Sequence, residues 1–540
     1  MSDRDALWGN DGTPSIHAQL GRVGLPAPVS ELASTTWDVV LVGGGHNGLT
    51  CAAYLAQAGR SVLVLERRER LGGACTLEQP FAEPGYMVSP CAYVVGLLDQ
   101  RVIDELQLRR HGYKVFLAEP AIWVPFDDGT WYAQFLDPER TAATMRENGF
   151  SEADIGGQFA YERCFDDLRR RLREGVRDTW IGVAPSDDEL RELLDHDPEL
   201  LDVLFEASVA DVLERHVADE RLRQALYGQG VIGAWAGPRT PGTASIKLMH
   251  FQGTLEGVPM AWGYVEGGMG RISFAIAEAA REAGAVLAAG VPVAEIRPGA
   301  GVVLEGGEVI RARAIVSNAD PKVTAGLLGD AIGPEFAARV AGWQTTSPVV
   351  KVNCGLSRLP RWTALPDASW PNGAPVSIPV PMDQAQQAFE DCTRGIPSPG
   401  FAEVYFQTAY DSTVAPEGKH TMSAFVQYAP YHLADGTWDS RREEIGQRIL
   451  GLIGRYCDID EIVDHIEVLG PPDIEQRVGL TGGHIFQGEC MPNQMWSNRF
   501  APGAPGSGVY LCGASTHPAG SVIGLNGRNA AMAVLEDLKD

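Results

Sequence analysis

Asp38-Val-Val-Leu-Val-Gly43-Gly-Gly45-His-Asn-Gly48-Leu, followed by Val62-Leu-Val-Leu-Glu66, is the stretch whose reading decides the fold. The apolar residues Val39 to Val42 read as a buried parallel strand, and Leu49 to Ala58 as the helix after it, with Gly59 as its stop. Gly43, Gly45 and Gly48 fall where such a turn requires glycine: the first for the tight turn, the second for close approach of a pyrophosphate, the third for packing of helix on strand. A diphosphate would then face the helix N-terminus, where unpaired N–H groups and the helix dipole favour an anion. Glu66 ends the second strand, placed to accept hydrogen bonds from both hydroxyls of an adenosine ribose and to repel a 2′-phosphate. A glycine triplet alone carries little weight in a chain with 62 glycines. Strand, turn, helix, strand and acid in register carry much more, and predict a dinucleotide-binding βαβ unit. His46 and Asn47 in the turn, and Arg67 and Arg68 after Glu66, join the expected cofactor-binding set.

Composition excludes more than it identifies. A hydrophobic fraction of 45% and a charged fraction of 21% over 540 residues are those of a globular protein with a sizeable core. The formal charge of −26 argues against nucleic acid as a partner. It also disfavours an anionic bilayer, although peripheral membrane contact stays open. Arg67, Arg68 and Arg70 read as a cofactor-phosphate contact, and Arg169, Arg170, Arg171 and Arg173 as a solvated helix face. Met-Ser-Asp-Arg-Asp lacks the regions of a secretory signal, and no stretch reaches about 18 consecutive apolar residues, so a cytoplasmic protein is expected. The nine cysteines form no C-x-x-C pair and no zinc-type spacing with histidine, so no metal site is indicated. Cys75, in Gly72-Gly73-Ala-Cys75, is similar to the redox loop of disulfide reductases. The residue five positions on is Pro80, so exchange through a cysteine pair is not expected.

Along the chain, residues 1–36 read as an N-terminal arm, extended or disordered, that gives a reason to expect a homo-oligomer. Residues 37–120 form the first part of a cofactor domain. From Ser151 to Gln229 apolar residues recur at three- and four-residue steps and predict a helical cap, within a first substrate segment of 121–255. Glu266-Gly-Gly-Met-Gly270 opens a helix ending near Gly284, after which short apolar runs return the chain to the cofactor domain over 256–334. Asn318-Ala-Asp320-Pro321 reads as a turn, with Asp320 as its cap. Strand-like runs Val349 to Leu356 and Met422 to Tyr428 belong to a second substrate segment, 335–475. Residues 476–540 complete the cofactor domain with a strand at Val509 to Cys512, a glycine-rich turn and a helix from near Gly527.

Val42 to Leu49, Leu65-Glu-Arg-Arg-Glu-Arg-Leu-Gly-Gly73, Trp262-Gly-Tyr-Val-Glu-Gly-Gly-Met-Gly270 and Leu511-Cys-Gly-Ala-Ser-Thr-His-Pro518 together resemble motifs of the phytoene-desaturase-like flavoproteins, a branch of the flavin amine-oxidase superfamily. Most similar is the group labelled pyridine nucleotide-disulfide oxidoreductase domain-containing proteins. The resemblance runs from about residue 37 to the C-terminus. It implies FAD and an α/β fold in which a Rossmann-type FAD-binding domain is interleaved with a mixed α+β substrate domain. In those terms Arg68, Gly72 and Gly73 match the motif that helps to hold the diphosphate, and Val293 the position whose backbone reads adenine. Gly513 and Ala514 would lie along the flavin and ribitol, and the helix from Gly527 would point its positive end at the isoalloxazine. Two residues depart from the pattern: Ala514 stands where many members carry an acid, and Ala74 where the amine oxidases carry arginine.

Hydride transfer to a flavin needs a substrate C–H bond held in a dry pocket. His517, beside the expected flavin, is the first candidate for a base; a histidine that only shapes its turn is the alternative. His484 and Glu489, in Gly482-Gly-His-Ile-Phe-Gln-Gly-Glu489, form a second pair, with a solvated tight loop as the alternative. Trp235, Trp262 and Tyr264 stand as tunnel residues or as ordinary core. The leading function is an FAD-dependent oxidoreductase that dehydrogenates a CH–CH bond of an apolar isoprenoid or polyene-like small molecule, the substrate class coming from the resemblance. Other readings are an amine oxidase with Lys351 or Lys322 near the flavin, an isomerase using reduced flavin, and a non-enzymatic interaction protein stabilised by FAD. A single dinucleotide fingerprint leaves NAD(P)H unindicated and makes oxygen, a quinone or another protein the expected electron acceptor.

Overall fold

The computed structural model describes residues 28–503 and 508–539. Most of the expected N-terminal arm lies outside them. Its last residues differ from an extended arm: Val29–Ser34 is a short helix that buries Leu32, whose carbonyl accepts the indole N–H of Trp37 at 3.1 Å. An apolar side chain here gains more from lying against the sheet than from solvent.

The strand Thr36–Val42 pairs in parallel with Val62–Glu66 on one side and with Val309–Ser317 on the other. The sheet continues through Val286–Ala289 beyond the former and through Gly301–Leu304 and Val293–Arg297 beyond the latter, while Val509–Leu511 also pairs in parallel with Val309–Ser317. Every residue from Val62 to Glu66 is buried, as expected of a parallel strand covered on both faces. The helix His46–Gln57 is buried from Asn47 to Ala56, because Gly270–Glu282 and Leu525–Asp537 both pack against it. That enclosure explains a helix without a polar stripe.

The C-terminal helix corrects one expectation. It starts at Leu525, and Gly524 precedes it at φ +81°. Gly527 lies inside the first turn, where a Cβ would stand 2.1 Å from the Asn47 carbonyl oxygen, so glycine is needed there for close packing of two helices and not as a helix start.

A second sheet runs in the order Val463–Leu469, Val349–Leu356, His420–Gln427, Phe401–Tyr405, Val376–Ile378, Ile122–Pro125 and Trp131–Gln134. Its register places Leu469, Lys351, Phe425, Glu403 and Ser377 in one row across five strands, an arrangement that puts two ionisable residues on one buried line. The helices Glu152–Arg173, Asp187–Leu193, Pro198–Phe205, Val209–His216 and Glu220–Leu226 occupy the stretch expected to be helical. The architecture is the expected α/β one, a Rossmann-type domain combined with a mixed α+β domain.

The arginines of the longest of these helices are not one solvated face. Arg170 is exposed and Arg171 half-buried, but Arg169 is buried and paired with Asp166 and Glu174, and Arg173 is held between Asp99 at 2.7 Å and Asp178 at 2.8 Å. Among the described residues no helix is long and apolar enough to cross a membrane.

Candidate functional site

At the end of the first strand the chain turns sharply. Gly43 takes φ +101° and donates its N–H to the Leu65 carbonyl at 2.8 Å, which ties the turn to the second strand. Gly45 caps the following helix without a side chain, and a Cβ there would come within 2.6 Å of Asn318 Nδ2. Glu66 is buried, with Oε2 accepting the Gly44 N–H at 2.7 Å and Oε1 the Arg68 N–H at 2.9 Å. Burial raises its pKa, opposed by those two N–H groups and by the Arg68 and Arg67 charges. Arg68 forms an ion pair with Glu78 through Nη2, while Nη1 is buried and finds no hydrogen-bond partner among the described residues. Asn47 Oδ1 is likewise buried and unpartnered. Unpaired polar atoms in a cleft wall fit a polar ligand, since leaving them unmatched costs about 1–3 kcal/mol each. A backbone surface bare of Cβ atoms, a carboxylate at the strand end and a spare guanidinium N–H together fit a dinucleotide.

This cleft is one end of a cavity of about 420 Å³. Its other end reaches the second sheet and the helical cap, where Tyr93, Ile122, Ile232, Trp262, Ile485 and Phe486 supply an apolar wall. Gly96 lets Trp262 lie flat on the backbone: a Cβ there would meet the indole at 2.5 Å. His250 also faces the cavity, donating from Nδ1 to the Ile246 carbonyl at 2.9 Å. Burial lowers its pKa to about 4, so the ring is neutral at pH 7.

Tyr93 and Tyr405 touch, with ring centroids 4.4 Å apart. The Tyr405 hydroxyl donates to Glu403 Oε2, and Gln229 Nε2 donates to Oε1 at 3.2 Å. Glu403 is 2% exposed, and burial pushes its carboxyl up to about 7. Behind Tyr93, Lys351 is buried with Nζ 3.5 Å from the ring centroid, and burial holds the amine well below the usual lysine range.

The structure gathers Gly43, Gly45, His46, Asn47, Glu66, Arg67, Arg68, Gly73, Val293 and Ala514 on the wall of this one cavity. Gly48, Gly72 and Gly513 stand behind it. A Cβ on Gly48 would lie 2.4 Å from the Gly43 carbonyl oxygen, Gly72 donates its N–H to Gly44 at 2.8 Å, and a Cβ on Gly513 would lie 2.6 Å from Gln487 Oε1.

The histidines lie elsewhere. His517 is buried off the cavity wall, with Nε2 donating to the Thr179 carbonyl at 2.8 Å, and burial lowers its pKa to about 4. His484 and Glu489 pair with each other at 3.4 Å, both buried, and Glu489 also accepts the Trp235 N–H at 3.0 Å. The loop they occupy is organised by Arg499, which donates to the carbonyls of Phe486, Glu489, Gln494, Ala514 and Thr516. Asp320 caps the helix Pro321–Leu328 and accepts from Thr481. Trp262 reaches the cavity, while Tyr264 and Trp235 do not line it. Lys322 donates to Thr345 Oγ1 at 2.8 Å. The Cys75 thiol is buried against the Met269 carbonyl and pushed up to about 12, an unreactive state.

Sequence reasoning passed over Glu403, Tyr405, Tyr93, Gln229, His250 and Asn318. One signal was available: Phe401-Ala-Glu-Val-Tyr405 carries a carboxylate in the middle of an apolar strand.

Comparison with known proteins places this geometry. A model of the family described as flavin containing amine oxidoreductase matches residues 48–535. Pyridine nucleotide-disulfide oxidoreductase domain-containing protein 2 of Rattus norvegicus is 34% identical, over 93% of this chain and 94% of that protein. A limonene dehydrogenase component of Castellaniella defragrans is 26% identical, over 93% of this chain and 95% of its own length. The solved structure of an oxidoreductase from Methanosarcina mazei superposes with a TM-score of 0.56 at 18% identity, over 92% of this chain and 99% of that one, a likeness of fold.

Proposed function

The chain belongs to the flavin containing amine oxidoreductase family, and from that premise we propose that this oxidoreductase binds FAD and dehydrogenates a CH–CH bond of an apolar, isoprenoid or polyene-like substrate. The observation that carries the reading is the single cavity that runs from Glu66 and Arg68 to a chamber walled by Ile122, Ile232, Trp262, Ile485 and Phe486. Limonene, in the name of one relative, is an isoprenoid hydrocarbon, which fits such a chamber.

In this reading Gly43, Gly45, Glu66 and Val293 hold the adenosine half, Arg68 Nη1 and the helix N-terminus at His46 and Asn47 meet the diphosphate, and Ala514 lies toward the ring. A bound flavin supplies an acceptor for a hydride and its electron pair. The protein supplies position and an apolar wall: Trp262 and Phe486 line the chamber with aromatic surface, and the neutral His250 adds no charge to it. Electrons leave to oxygen, a quinone or another protein. The amine-oxidising alternative is less well supported, because Tyr93 and Tyr405 are in mutual contact and Lys351 lies behind Tyr93.

The test is an absorption spectrum of purified holoprotein, followed anaerobically while polyenes, acyl compounds and amines are added. Bleaching by polyenes alone supports the proposal. Bleaching by amines alone, or protein that neither contains nor takes up FAD, overturns it.

A further inference from the structure

Glu403 is an expensive residue to place where it stands. A carboxylate taken out of water loses several kcal/mol unless charges or hydrogen bonds replace the solvent. Other buried acids here have such replacements. Glu162 meets Lys247 at 3.2 Å, Glu489 meets His484, Asp320 caps a helix, and Glu66 accepts two backbone N–H groups. Glu403 has no ion pair among the described residues. Lys351 shares its cross-strand row, but Phe425 stands between them, and the lysine amine is turned onto the face of Tyr93.

Its two known partners, Tyr405 and Gln229, each donate one hydrogen bond. An ionised carboxylate has about four acceptor positions and no donor, so acceptor capacity is left over. That capacity belongs to a residue on the cavity wall, in a chamber that Ala121, Ile122, Ile232 and Pro375 line together with Tyr93, Tyr405, Gln229 and His250. A few placed polar groups in a largely apolar chamber are how a pocket fixes the orientation of an amphipathic ligand, and Glu403 is one of them here.

We infer that Glu403 is the recognition point for a hydrogen-bond donor on the substrate, so the molecule bound here is an apolar chain bearing a hydroxyl or an amino group. The inference rests on the reading that this chamber receives the substrate. Glu403 orients the chain by that group, and Tyr405 and Gln229 hold the carboxylate still. A hydrocarbon without a donor enters the same chamber with no preferred direction.

The experiment uses FAD-loaded protein at pH 8.5, where the carboxylate form of Glu403 prevails. Dissociation constants for 1-decanol, decyl methyl ether and decylamine are read from perturbation of the flavin spectrum, which needs no turnover. The ether keeps chain and oxygen but lacks the donor. Expected is binding of 1-decanol or decylamine about 10- to 100-fold tighter than the ether, the effect of a hydrogen bond to a charged group; which of the two prevails distinguishes hydroxyl from ammonium. Glu403→Gln should bring that ratio below about threefold and leave the ether constant unchanged. Equal binding of all three probes, or no binding by any, overturns the inference. So does an E403Q variant that weakens all probes alike, since a residue that only supports Tyr405 and Gln229 would do that. The wild-type comparison stands even if E403Q does not fold. Failure of polyenes to bleach the flavin would sink the dehydrogenation reading and leave these ratios readable.

Discussion

Glu66 Oε2 and the backbone N–H of Gly44 lie 2.7 Å apart, a hydrogen bond that locks the end of the second strand to the glycine turn that ends the first. The carboxylate is therefore oriented before any ligand arrives. Replacing it by an amide puts a donor where two N–H groups converge. Glu66→Gln should weaken FAD binding about 10- to 100-fold, the loss of charge-assisted hydrogen bonds, with the fold retained. Titration of FAD into flavin-free protein checks this, and an unchanged dissociation constant would remove Glu66 from the ribose site.

Two alanine substitutions in the turn should separate packing from ligand approach. In Gly45→Ala the new methyl meets only the end of the Asn318 side chain, at 2.6 Å, and that amide can rotate into the cleft. FAD occupancy should fall while the free energy of unfolding stays within about 1 kcal/mol of wild type. In Gly48→Ala the methyl meets the Gly43 carbonyl oxygen at 2.4 Å, and backbone must move. That variant should lose stability first, by about 1–3 kcal/mol. Urea titrations of both flavin-free proteins decide; the opposite ranking would refute the packing argument.

Arg499 is 1% exposed, and its donors end on five carbonyls from two loops, those of Phe486 and Ala514 among them. A lysine cannot fork to so many acceptors. Arg499→Lys should destabilise the protein by about 3–5 kcal/mol, as removal of a buried charged hub does. Flavin should dissociate at lower denaturant than in wild type, because both loops border the cavity. A variant with wild-type unfolding would mean that these carbonyls find other donors.

Acid sensitivity follows from three histidines, His46, His250 and His517. Burial lowers each to about 4 from the ordinary 6.5, so the folded state prefers the neutral rings. Their contribution is complete above pH 6.5, where both states are neutral, and is lost as pH falls from 6.5 toward 4 and the unfolded chain takes up protons first. The size is about 3 kcal/mol for each ring, at 1.36 kcal/mol per pH unit. Glu403 acts in the opposite sense: its folded value near 7 makes protonation favour the fold as pH falls from 7 to 4.5. The three histidines outweigh it, and the urea midpoint should drop steeply below pH 6.5. His517→Gln, which keeps a donor for the Thr179 carbonyl, should flatten that drop; an equally steep profile would exclude His517 as a source.

Much of the cofactor side was legible because it is local. Strand, turn, helix and acid lie within 29 residues, from Asp38 to Glu66, and each step follows from short-range geometry. The chamber was not legible, because its polar group depends on pairing of strands far apart in sequence: Glu403 meets Gln229 across 174 positions. His517 attracted attention through its place beside the expected flavin, and His484 through neighbouring glycines. Sequence spacing says that backbones approach closely there, but not toward which side of the turn the imidazole points. Gly527 was misread for a related reason, since a glycine inside a helix and one before it look alike until the helix packed against it, here through the Asn47 carbonyl, is known.

Val309–Ser317 is flanked in the sheet by Thr36–Val42 and by Val509–Leu511, so the earliest and the latest strands among the described residues share one neighbour. During synthesis at about 5–20 residues per second, the first βαβ unit waits roughly 25–90 s before its last partners emerge from the ribosome. Throughout that interval the helix His46–Gln57 lacks the C-terminal helix that covers it and presents apolar surface to solvent or to a chaperone. Cofactor loading is thus a late event in the life of the nascent chain, because Ala514, on the same cavity wall as Gly43 and Glu66, emerges only with that last strand.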